Sequence, residues 1–516
     1  MELLNPSHTF DFIESHLLEV QKPGQYIGSE YNSVIKSDAN VRMHFALAFP
    51  DTYEIGMSHL GLQLLYEVIN RTPQYWAERV FMPLPDMEKL LVESDFPLVS
   101  LESKRPLRNF DILGFSLQYE LCATNILAML DMADIPFLAS ERNMSFPLVI
   151  GGGPWAYHAE AIAPFFDAFF LGDAEEAIEE IICTCLAFKD AKRTDKNALL
   201  AELATIEGIY VPAHFNVDYD STRPVLTTPA KSTTSISTSR RRLLNTLSGA
   251  TTLVNPIVPN VKTVHNRLSV ELMRGCVRGC RFCQAGFLYR PQRERRPEEV
   301  LDIIDTALSH SGFEEVSLMS LSTADYCSIL PLVTEVMNRY ADEEKLAVSF
   351  PSTRVDALKP ELLEQVQKVR RTGFTVAPEA GTQRLRDVIN KGVTDEQILE
   401  TCKNVFQMGW SGIKLYFMIG LPTETIEDVL GIVHLARRIK GLKEAKGKNI
   451  TVSVSTLVPK PHTPFQWSAQ LLPADVSERH KLLRDELQKS RIAFRYSDSF
   501  STLLEGVLSR GDRRLS

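Results

Sequence analysis

Residues 274–283 read RGCVRGCRFC, and this segment holds three of the chain's eight cysteines. Cys276, Cys280 and Cys283 form a C-x3-C-x2-C run that directly follows LSVELM at 268–273, a stretch typical of a buried strand. Thiolates are the usual ligands of iron–sulfur clusters. Because only three cysteines are present, one iron would keep an open position, as a catalytic cluster needs. The run therefore predicts an iron–sulfur site at the end of a strand.

Two other interpretations of the run remain open at this point. A structural zinc site normally needs four protein ligands, and no fourth Cys or His lies close by, since the nearest, His265, is on the other side of the strand. Three unconnected cysteines are the other alternative, which the tight spacing disfavours. The remaining cysteines lie in apolar or helical contexts and are predicted to be small buried hydrophobes; they are Cys122, Cys183, Cys185, Cys327 and Cys402.

The second half of the chain repeats a strand–helix pattern six times. The candidate strands are residues 268–273, 314–320, 346–350, 374–378, 413–420 and 451–458. Each apolar run is followed by a helical pattern, for instance at 425–439. Six such units are too few for a closed eight-stranded barrel, so they predict a partial (β/α)6 barrel of the TIM type.

The first half also alternates short apolar runs with helical patterns. Its candidate strands are residues 42–50, 97–103, 111–117, 147–153 and 167–173, with helices at 56–70, at 120–132 and from 174 onward. This alternation predicts an α/β class with a doubly wound, flavodoxin/Rossmann-like parallel sheet. Ligands bind such sheets at the carboxyl ends of the strands, where Asp51, Ser116 and residues 151–153 fall.

These patterns predict five segments. They are an N-terminal arm at 1–40, an α/β domain at 41–226, a linker at 227–263, the partial barrel at 264–470, and a C-terminal helix and tail at 471–516. The linker is rich in Ser and Thr, and its basic run at Arg240–Arg242 is expected to be solvated surface.

The composition excludes some classes of function. A formal net charge of -9 gives no general case for binding nucleic acid or an anionic membrane, because both favour excess positive charge. No stretch approaches the ~20 apolar residues that cross a bilayer, and no basic and apolar leader precedes the first domain. We therefore expect a cytoplasmic protein without a membrane partner.

The C-x3-C-x2-C spacing, with the aromatic Phe282 before the last cysteine, resembles the signature of the radical S-adenosylmethionine (SAM) superfamily. The resemblance implies a partial (β/α)6 barrel and a 4Fe-4S cluster whose open iron binds SAM. It also implies reductive cleavage of SAM to a 5'-deoxyadenosyl radical, with electrons from a donor of the flavodoxin or ferredoxin type. It names neither a substrate nor a catalytic residue.

Further segments at successive strand ends resemble SAM-binding motifs of the superfamily. The residues that the resemblance assigns to SAM are Phe282, Ser322, Ser352, Arg354, Glu379 and Gly420. The segment at 320–323 departs from the usual Gly-Gly-Glu form, and the motif at 379–383 is similar to one in tRNA methylthiotransferases.

The chain also resembles fused radical SAM proteins that carry a cobalamin-binding-like domain before the barrel. The residues corresponding to the cobalamin motif are Asp51, Gly56, Ser116, Gly151 and Gly152, but Tyr53 replaces the histidine that would ligate cobalt. Two alternatives stay open: the domain binds cobalamin without a protein ligand, or it keeps only the fold.

Four arginines follow the cysteines closely: Arg290, Arg293, Arg295 and Arg296. Arginine forks suit the phosphates of an RNA substrate, but a solvated charge run is the favoured interpretation. The sequence thus favours a radical SAM enzyme of unknown substrate. There are two alternatives: an RNA-modifying methylthiotransferase-like enzyme and a non-catalytic metal-binding scaffold. The first is disfavoured because the N-terminal half has no second cysteine triad to hold an auxiliary cluster.

Overall fold

The computed structural model describes residues 6–219, 231–234, 238–340, 346–349, 361, 365 and 374–516. These residues form an N-terminal region around one six-stranded sheet and a C-terminal region around two parallel sheets. None of the helices in the described residues combines the length and the apolar character that spanning a bilayer requires. The prediction of a mixed α/β fold with parallel sheets is confirmed.

The N-terminal sheet has the strand order β2-β1-β3-β4-β5-β6, in which only β6 runs antiparallel to its neighbour. Its strands are β1 (Met43–Phe49), β2 (Tyr75–Phe81), β3 (Ile112–Ser116), β4 (Leu148–Gly152), β5 (Ala168–Phe170) and β6 (Ile209–Tyr210). The chain order reverses between β1 and β3. In open α/β sheets that reversal is where ligands bind.

Helices cover both faces of this sheet. They are α1 (Pro6–His16), α2 (Tyr53–Gly56), α3 (Leu60–Asn70), α4 (Pro85–Glu93), α5 (Ala123–Met132), α6 (Ala177–Asp190) and α7 (Lys196–Leu203). Along β1, Phe45 and Leu47 enter the core beneath α3, α6 and α7, whereas Ala46 and Ala48 enter the core beneath α4 and α5. Side chains alternate between the faces of a strand, so both faces of the sheet are buried.

One predicted strand of this sheet is wrong, and two strands, β2 and the two-residue β6, were not predicted. Residues 97–103 form no strand but only an isolated bridge from Val99 to Pro106. The sheet instead contains β2, whose apolar pattern is broken by Glu78 and Arg79. Both charged side chains are fully buried. The strand was not predicted because charged residues are rarely buried and here interrupt the apolar run.

The six strands predicted in the C-terminal region are all present and parallel. After a short hairpin of β7 (Phe215–Asn216) and β8 (Lys231–Ser232), the strands are β9 (Leu268–Glu271), β10 (Met273–Arg274), β11 (Arg293–Glu294), β12 (Glu315–Met319), β13 (Ala347–Ser349), β14 (Phe374–Glu379), β15 (Gly412–Ile419), β16 (Asn449–Thr456) and β17 (Ala493–Tyr496). Seven of them form the sheets β13-β12-β9 and β14-β15-β16-β17, and β10 pairs with β11 in a separate antiparallel hairpin. Within the described residues, no pairing joins the two sheets into a barrel.

The C-terminal helices pack outside these sheets. They are α8 (Ala285–Leu288), α9 (Pro297–Ser309), α10 (Ile329–Tyr340), α11 (Gln383–Val388), α12 (Asp395–Gln407), α13 (Ile426–Lys440), α14 (Pro473–Lys489) and α15 (Ser499–Arg510). Thr394 and Thr425 begin α12 and α13 with capping boxes. The C-terminal segment contains more than the predicted helix and tail, because β17 extends the sheet beside β16 and α15 follows it.

A buried ion-pair network stabilises β2. The Arg79 guanidinium donates to Glu30 at 2.8 Å and to Glu102 at 2.7 Å, and all three side chains are fully buried. Glu102 also accepts the Arg79 backbone N–H at 2.8 Å. A buried arginine is tolerated only because its donors are matched by carboxylates.

We expect Arg79→Met to lower the free energy of unfolding by about 3–5 kcal/mol, because it leaves two buried carboxylates unpaired. Urea unfolding followed by tryptophan fluorescence, to which Trp76 on the same strand contributes, measures this change. The control is Arg193→Met, which removes the half-exposed pair with Glu202 and should cost about 0–1 kcal/mol. Equal costs in the two variants would contradict the assignment of stability to the network.

Candidate functional site

Residues 274–284, here called the cysteine loop, connect β10 to α8. β10 pairs with β11 in an antiparallel hairpin, so the loop is held at its base by backbone hydrogen bonds. Gly275 and Gly279 have φ angles of 88° and 72°, in the left-handed region that favours glycine. A Cβ atom on Gly275 would lie 2.4 Å from the Tyr289 carbonyl oxygen. The turn before the first cysteine therefore requires glycine.

The three cysteine thiols lie together at the carboxyl end of β9 and β10. Cys280 is buried, and Cys276 and Cys283 are partly buried. The pKa of Cys283 is raised, chiefly by burial and further by the neighbouring Cys280 and Cys276. Because the three cysteines share one short loop, a negative charge on any one thiol disfavours a charge on the others.

Backbone donors point at two of the sulfurs. The Arg278 N–H lies 3.5 Å from Cys276 Sγ, and the Gly286 N–H bonds Cys283 Sγ and opposes the rise of its pKa. N–H donors at sulfur stabilise the thiolate, the form that ligates iron. Among the described residues, no three His, Cys, Asp or Glu side chains converge on the position of a single metal ion. In a 4Fe-4S cluster each thiolate binds a different iron, so its ligands need not converge on one position.

Segments that follow two other strands fix the loop from outside. After β12, Asp325 accepts the Arg278 Nε–H at 2.8 Å. After β14, Asn390 donates to the Gly279 carbonyl at 2.9 Å, and the Ile389 carbonyl accepts the Arg281 N–H at 3.0 Å. The loop is therefore pre-organised by the same strand ends that carry the predicted SAM motifs.

Four of the residues predicted to bind SAM lie in the described part of the chain. Phe282 packs against an apolar cluster that includes Leu421 and Phe465. Ser322 is buried and donates to Asp325 at 2.6 Å, so it supports the cysteine loop. Ser352 and Arg354 lie outside the described residues.

Glu379 and Gly420 both have left-handed backbone, with φ of 69° and 80°. The Gly420 N–H donates to both carboxylate oxygens of Glu424, at 2.9 and 3.0 Å. Glu379 accepts Lys391 Nζ at 3.0 Å. The charge of Lys391 also opposes the rise in the pKa of Cys283. Sequence reasoning missed Lys391, which lies eight residues after the predicted motif at 379–383.

A cavity of about 230 Å³ opens at the carboxyl edge of the N-terminal sheet. Ser116 and Gly152, both predicted to contact cobalamin, line it. A Cβ atom on Gly152 would meet nothing within 4 Å, so this glycine faces open space. Arg274 and Tyr289 also line the cavity. Both belong to the hairpin formed by β10, β11 and the residues between them (273–294), here called the cysteine hairpin. The cavity therefore lies between the N-terminal sheet and the cysteines.

The other residues of the predicted cobalamin motif do not line this cavity. A Cβ on Gly56 would meet the ring of Phe81, and one on Gly151 would meet Leu117 and Phe169. Asp51 accepts the N–H of Thr52 at 2.7 Å.

Tyr53, which stands in the place of the motif histidine, points into the buried ion-pair network. Its hydroxyl donates to Glu30 at 3.0 Å and accepts the Asn260 N–H at 3.1 Å.

A histidine that sequence reasoning missed does line the cavity. His59 Nδ1 accepts the Leu62 N–H at 3.1 Å and so caps α3. Burial lowers the pKa of His59 to about 4, and a hydrogen bond with Gln118 opposes this shift. The ring is thus neutral at neutral pH, with one nitrogen occupied by the helix cap. No sequence motif marks this residue, because the chain folds it into the cavity six positions after Tyr53.

Four arginines of the two basic runs are not solvated surface as expected, whereas Arg240 is exposed. Arg293 and Arg295 are buried and pair with Asp173 and Glu299, respectively. Arg242 pairs with Glu180 at 2.9 Å, and Arg241 bonds the carbonyls of Leu288 and Arg290. That interpretation is wrong for these four arginines, because carboxylates and backbone carbonyls accept their hydrogen bonds, and most of these acceptors are distant in sequence. Arg296 is exposed.

Two family models match the chain. The model described as the radical SAM superfamily matches residues 270–436, and the model described as the N-terminal part of radical SAM proteins matches residues 61–212. The first match contains the cysteine loop. The second contains most of the strands that border the cavity.

Two relatives represent the sequence matches. An uncharacterised protein of Methanocaldococcus jannaschii is 32% identical over 249 residues, which cover 48% of this chain and 52% of the relative. A tRNA-2-methylthio-N(6)-dimethylallyladenosine synthase of Desulforamulus reducens is 24% identical over 184 residues, covering 33% of this chain and 39% of that enzyme. The chain thus spans about half or less of the length of these curated relatives.

Two solved structures share the fold. The radical SAM methyltransferase TsrM from Kitasatospora setae, with cobalamin and a [4Fe-4S] cluster bound, has a TM-score of 0.53 at 16% identity, covering 82% of this chain and 77% of that one. The cobalamin-dependent radical enzyme OxsB, with aqua-cobalamin and SAM bound, has a TM-score of 0.51 at 12% identity, covering 87% and 62%.

The two loop glycines give a matched test of the turn. Alanine at either position costs about 1–2 kcal/mol for its left-handed backbone. Only Gly275→Ala also brings its Cβ against backbone, because the contacts of a Cβ on Gly279 are ordinary, at 3.4 and 3.5 Å. We therefore expect a clearly larger loss of unfolding free energy for Gly275→Ala, measured by urea denaturation. Equal losses would show that the loop does not need the close turn.

Proposed function

Because the chain belongs to the radical SAM superfamily, whose members are enzymes, we propose that Cys276, Cys280 and Cys283 hold a 4Fe-4S cluster at which SAM is reductively cleaved. The observation that carries this proposal is the group of three adjacent thiols with backbone N–H donors at two sulfurs. The superfamily uses this cluster together with SAM. When bound, they supply a 5'-deoxyadenosyl radical.

The residues around the thiols fit binding and orientation of SAM. We assign the SAM contacts to Phe282, Ser322, Ser352, Arg354, Glu379 and Gly420. Support comes from the positions of Glu379 and Gly420 at the carboxyl ends of β14 and β15, on the side of the sheet where the cysteine loop lies. Electrons would come from a donor of the flavodoxin or ferredoxin type, and the substrate is not assigned.

We further propose that the N-terminal region is a doubly wound, flavodoxin-like domain whose cavity takes part of a cobalamin molecule. Three observations support this: the strand order, the glycine-lined cavity at the carboxyl edge, and the likeness of fold to two proteins solved with cobalamin bound. Apolar lining with a few polar groups is typical of cofactor sites. The cavity is smaller than cobalamin, so it would enclose only a part of the cofactor.

The proposed segments are those of the sequence analysis: an arm to residue 40, the cobalamin-binding-like domain at 41–226, a linker at 227–263, the radical SAM domain at 264–470, and a C-terminal segment at 471–516. A methylthiotransferase activity is less well supported. The cysteines of the N-terminal region are Cys122, which precedes α5, and Cys183 and Cys185 on α6, so no closely spaced triad like that of the cysteine loop is present for an auxiliary cluster. Arg293 and Arg295 are also buried, which removes two of the cations proposed for RNA.

After anaerobic reconstitution, the protein should retain about four irons and four sulfides per chain. With dithionite it should convert SAM to 5'-deoxyadenosine, which chromatography detects. Cys283→Ala should abolish turnover, because it removes a cluster ligand. The control is Cys402→Ala, which changes a fully buried cysteine of α12 and should keep both cluster and turnover. A colourless protein that binds zinc, or full turnover in Cys283→Ala, would rule out the proposal.

Gly152→Leu tests the cavity independently of the cluster. Because a side chain on Gly152 meets open space, we expect the variant to fold with unchanged thermal stability and to fill the cavity. Anaerobic equilibration with hydroxocobalamin, then desalting and an absorbance spectrum, should show cobalamin retained by the wild type and lost from the variant. Gly441→Leu adds the same side chain at the exposed end of α13 and should retain it. If the wild type retains no cobalamin, the proposal that this domain binds cobalamin is wrong.

A further inference from the structure

The N-terminal region contacts the cysteine loop at both of its ends. Arg274 stands two residues before the first cysteine, and Gln284 directly follows the last one. Each of these side chains is bonded to a residue of the N-terminal region. These two contacts lie outside the strand-end segments that hold the middle of the loop.

At the first end, the turn between β5 and α6 supplies two carboxylates. Asp173 pairs with Arg274 at 2.7 Å and Glu175 pairs with it at 2.6 Å. The second oxygen of Asp173 accepts Arg293 at 2.5 Å and the Leu244 N–H at 2.9 Å. Asp173 is therefore shared by the two strands of the cysteine hairpin, since Arg274 ends β10 and Arg293 begins β11.

Burial makes this contact strong and sensitive to geometry. The side chains of Asp173 and Arg293 are each 6% exposed, and that of Arg274 is 15% exposed. Removing one partner of such a pair leaves an uncompensated charge in a desolvated place. Gly172, with a φ of 129°, brings the turn into contact with the backbone of Arg242, so the carboxylates sit on a rigid support.

At the other end, Gln284 donates to His158 Nδ1 at 3.2 Å and to the Pro461 carbonyl at 3.1 Å. His158 Nε2 lies 2.9 Å from Glu120, which is also bonded to Lys460 and Ser509. Both nitrogens of the ring are thus bonded, so His158 connects Gln284 to Glu120 and fixes the orientation of the Gln284 side chain.

We propose that Asp173 and His158 are positioning residues that set the geometry of the cysteine loop, which makes the N-terminal region a structural part of the cluster site. The inference rests on the proposed function for the cluster itself. Residues that orient metal ligands affect affinity and activity although they never touch the metal. The N-terminal region thus has a role that is independent of any cofactor in its cavity.

The test uses the full chain without cobalamin and the variants Asp173→Asn and His158→Phe. Asp173→Asn keeps the shape and removes the charge, and His158→Phe keeps a ring and removes both hydrogen bonds. We expect each variant to lose iron to a chelator roughly tenfold faster than the wild type. We also expect a changed electron paramagnetic resonance spectrum of the reduced cluster. Glu175→Gln, which leaves Asp173 in place, is the milder substitute if Asp173→Asn does not fold.

The matched control is Glu160→Gln. It breaks the 2.7 Å pair with Arg513, which also joins the N-terminal region to a distant segment but does not involve the cysteine loop. The control should lower thermal stability and leave the spectrum and the rate of iron loss unchanged. The inference would be overturned if the carboxylate variant that folds, Asp173→Asn or Glu175→Gln, and His158→Phe both show the wild-type spectrum and the wild-type rate of iron loss.

Hydrogen exchange of residues 275–284 in the cluster-free protein separates this inference from the proposed function. Faster exchange in the variants than in the wild type and in Glu160→Gln supports the positioning role even if the wild type assembles no cluster. A wild type that assembles no cluster contradicts the proposed function alone. Equal exchange in all the proteins contradicts the positioning role alone.

Discussion

The carboxylate of Asp173 lies between Arg274 and Arg293, and the arrangement of the site depends on this buried interaction. Taking these charges out of water costs several kcal/mol per ion, so the contact persists only where every oxygen has a partner. It fixes three elements at once: the turn after β5, the hairpin that carries the cysteines, and the segment around Leu244. The two regions of the chain are joined by charge pairing more than by a shared apolar core.

The same contact explains why the thiols and the cavity are neighbours. The strands of the N-terminal sheet and of the C-terminal sheets both end at the boundary between the regions, which is where parallel sheets offer their ligand sites. Arg274 and Tyr289 belong to the cysteine hairpin and also line the cavity. Whatever occupies the cavity therefore contacts the same hairpin that carries the thiols.

The parts of the site that are local in sequence could be predicted, and the parts that depend on distant partners could not. The three cysteines could be recognised because ligands from one short loop must be closely spaced, and the strand before them is a plain apolar run. β2 was missed because Glu78 and Arg79 break its pattern, and their partners lie in other segments. Arg241, Arg242, Arg293 and Arg295 were misjudged as solvated for the same reason, since a run of arginines does not show where its acceptors are. His59 lines the cavity because its side chain caps α3, and no sequence motif predicts that contact.

The distance along the chain between Asp173 and its arginines has a consequence for how the protein is assembled. Arg274 and Arg293 follow Asp173 by 101 and 120 residues, so the ribosome completes the N-terminal sheet well before either cation emerges. Domains generally fold as units during synthesis, the N-terminal one first. The carboxylate must therefore stay hydrated until the hairpin docks against it, and the cysteine loop takes its final form only then. Iron delivered in the cell would thus find a fully formed binding loop only on chains whose two regions have already docked.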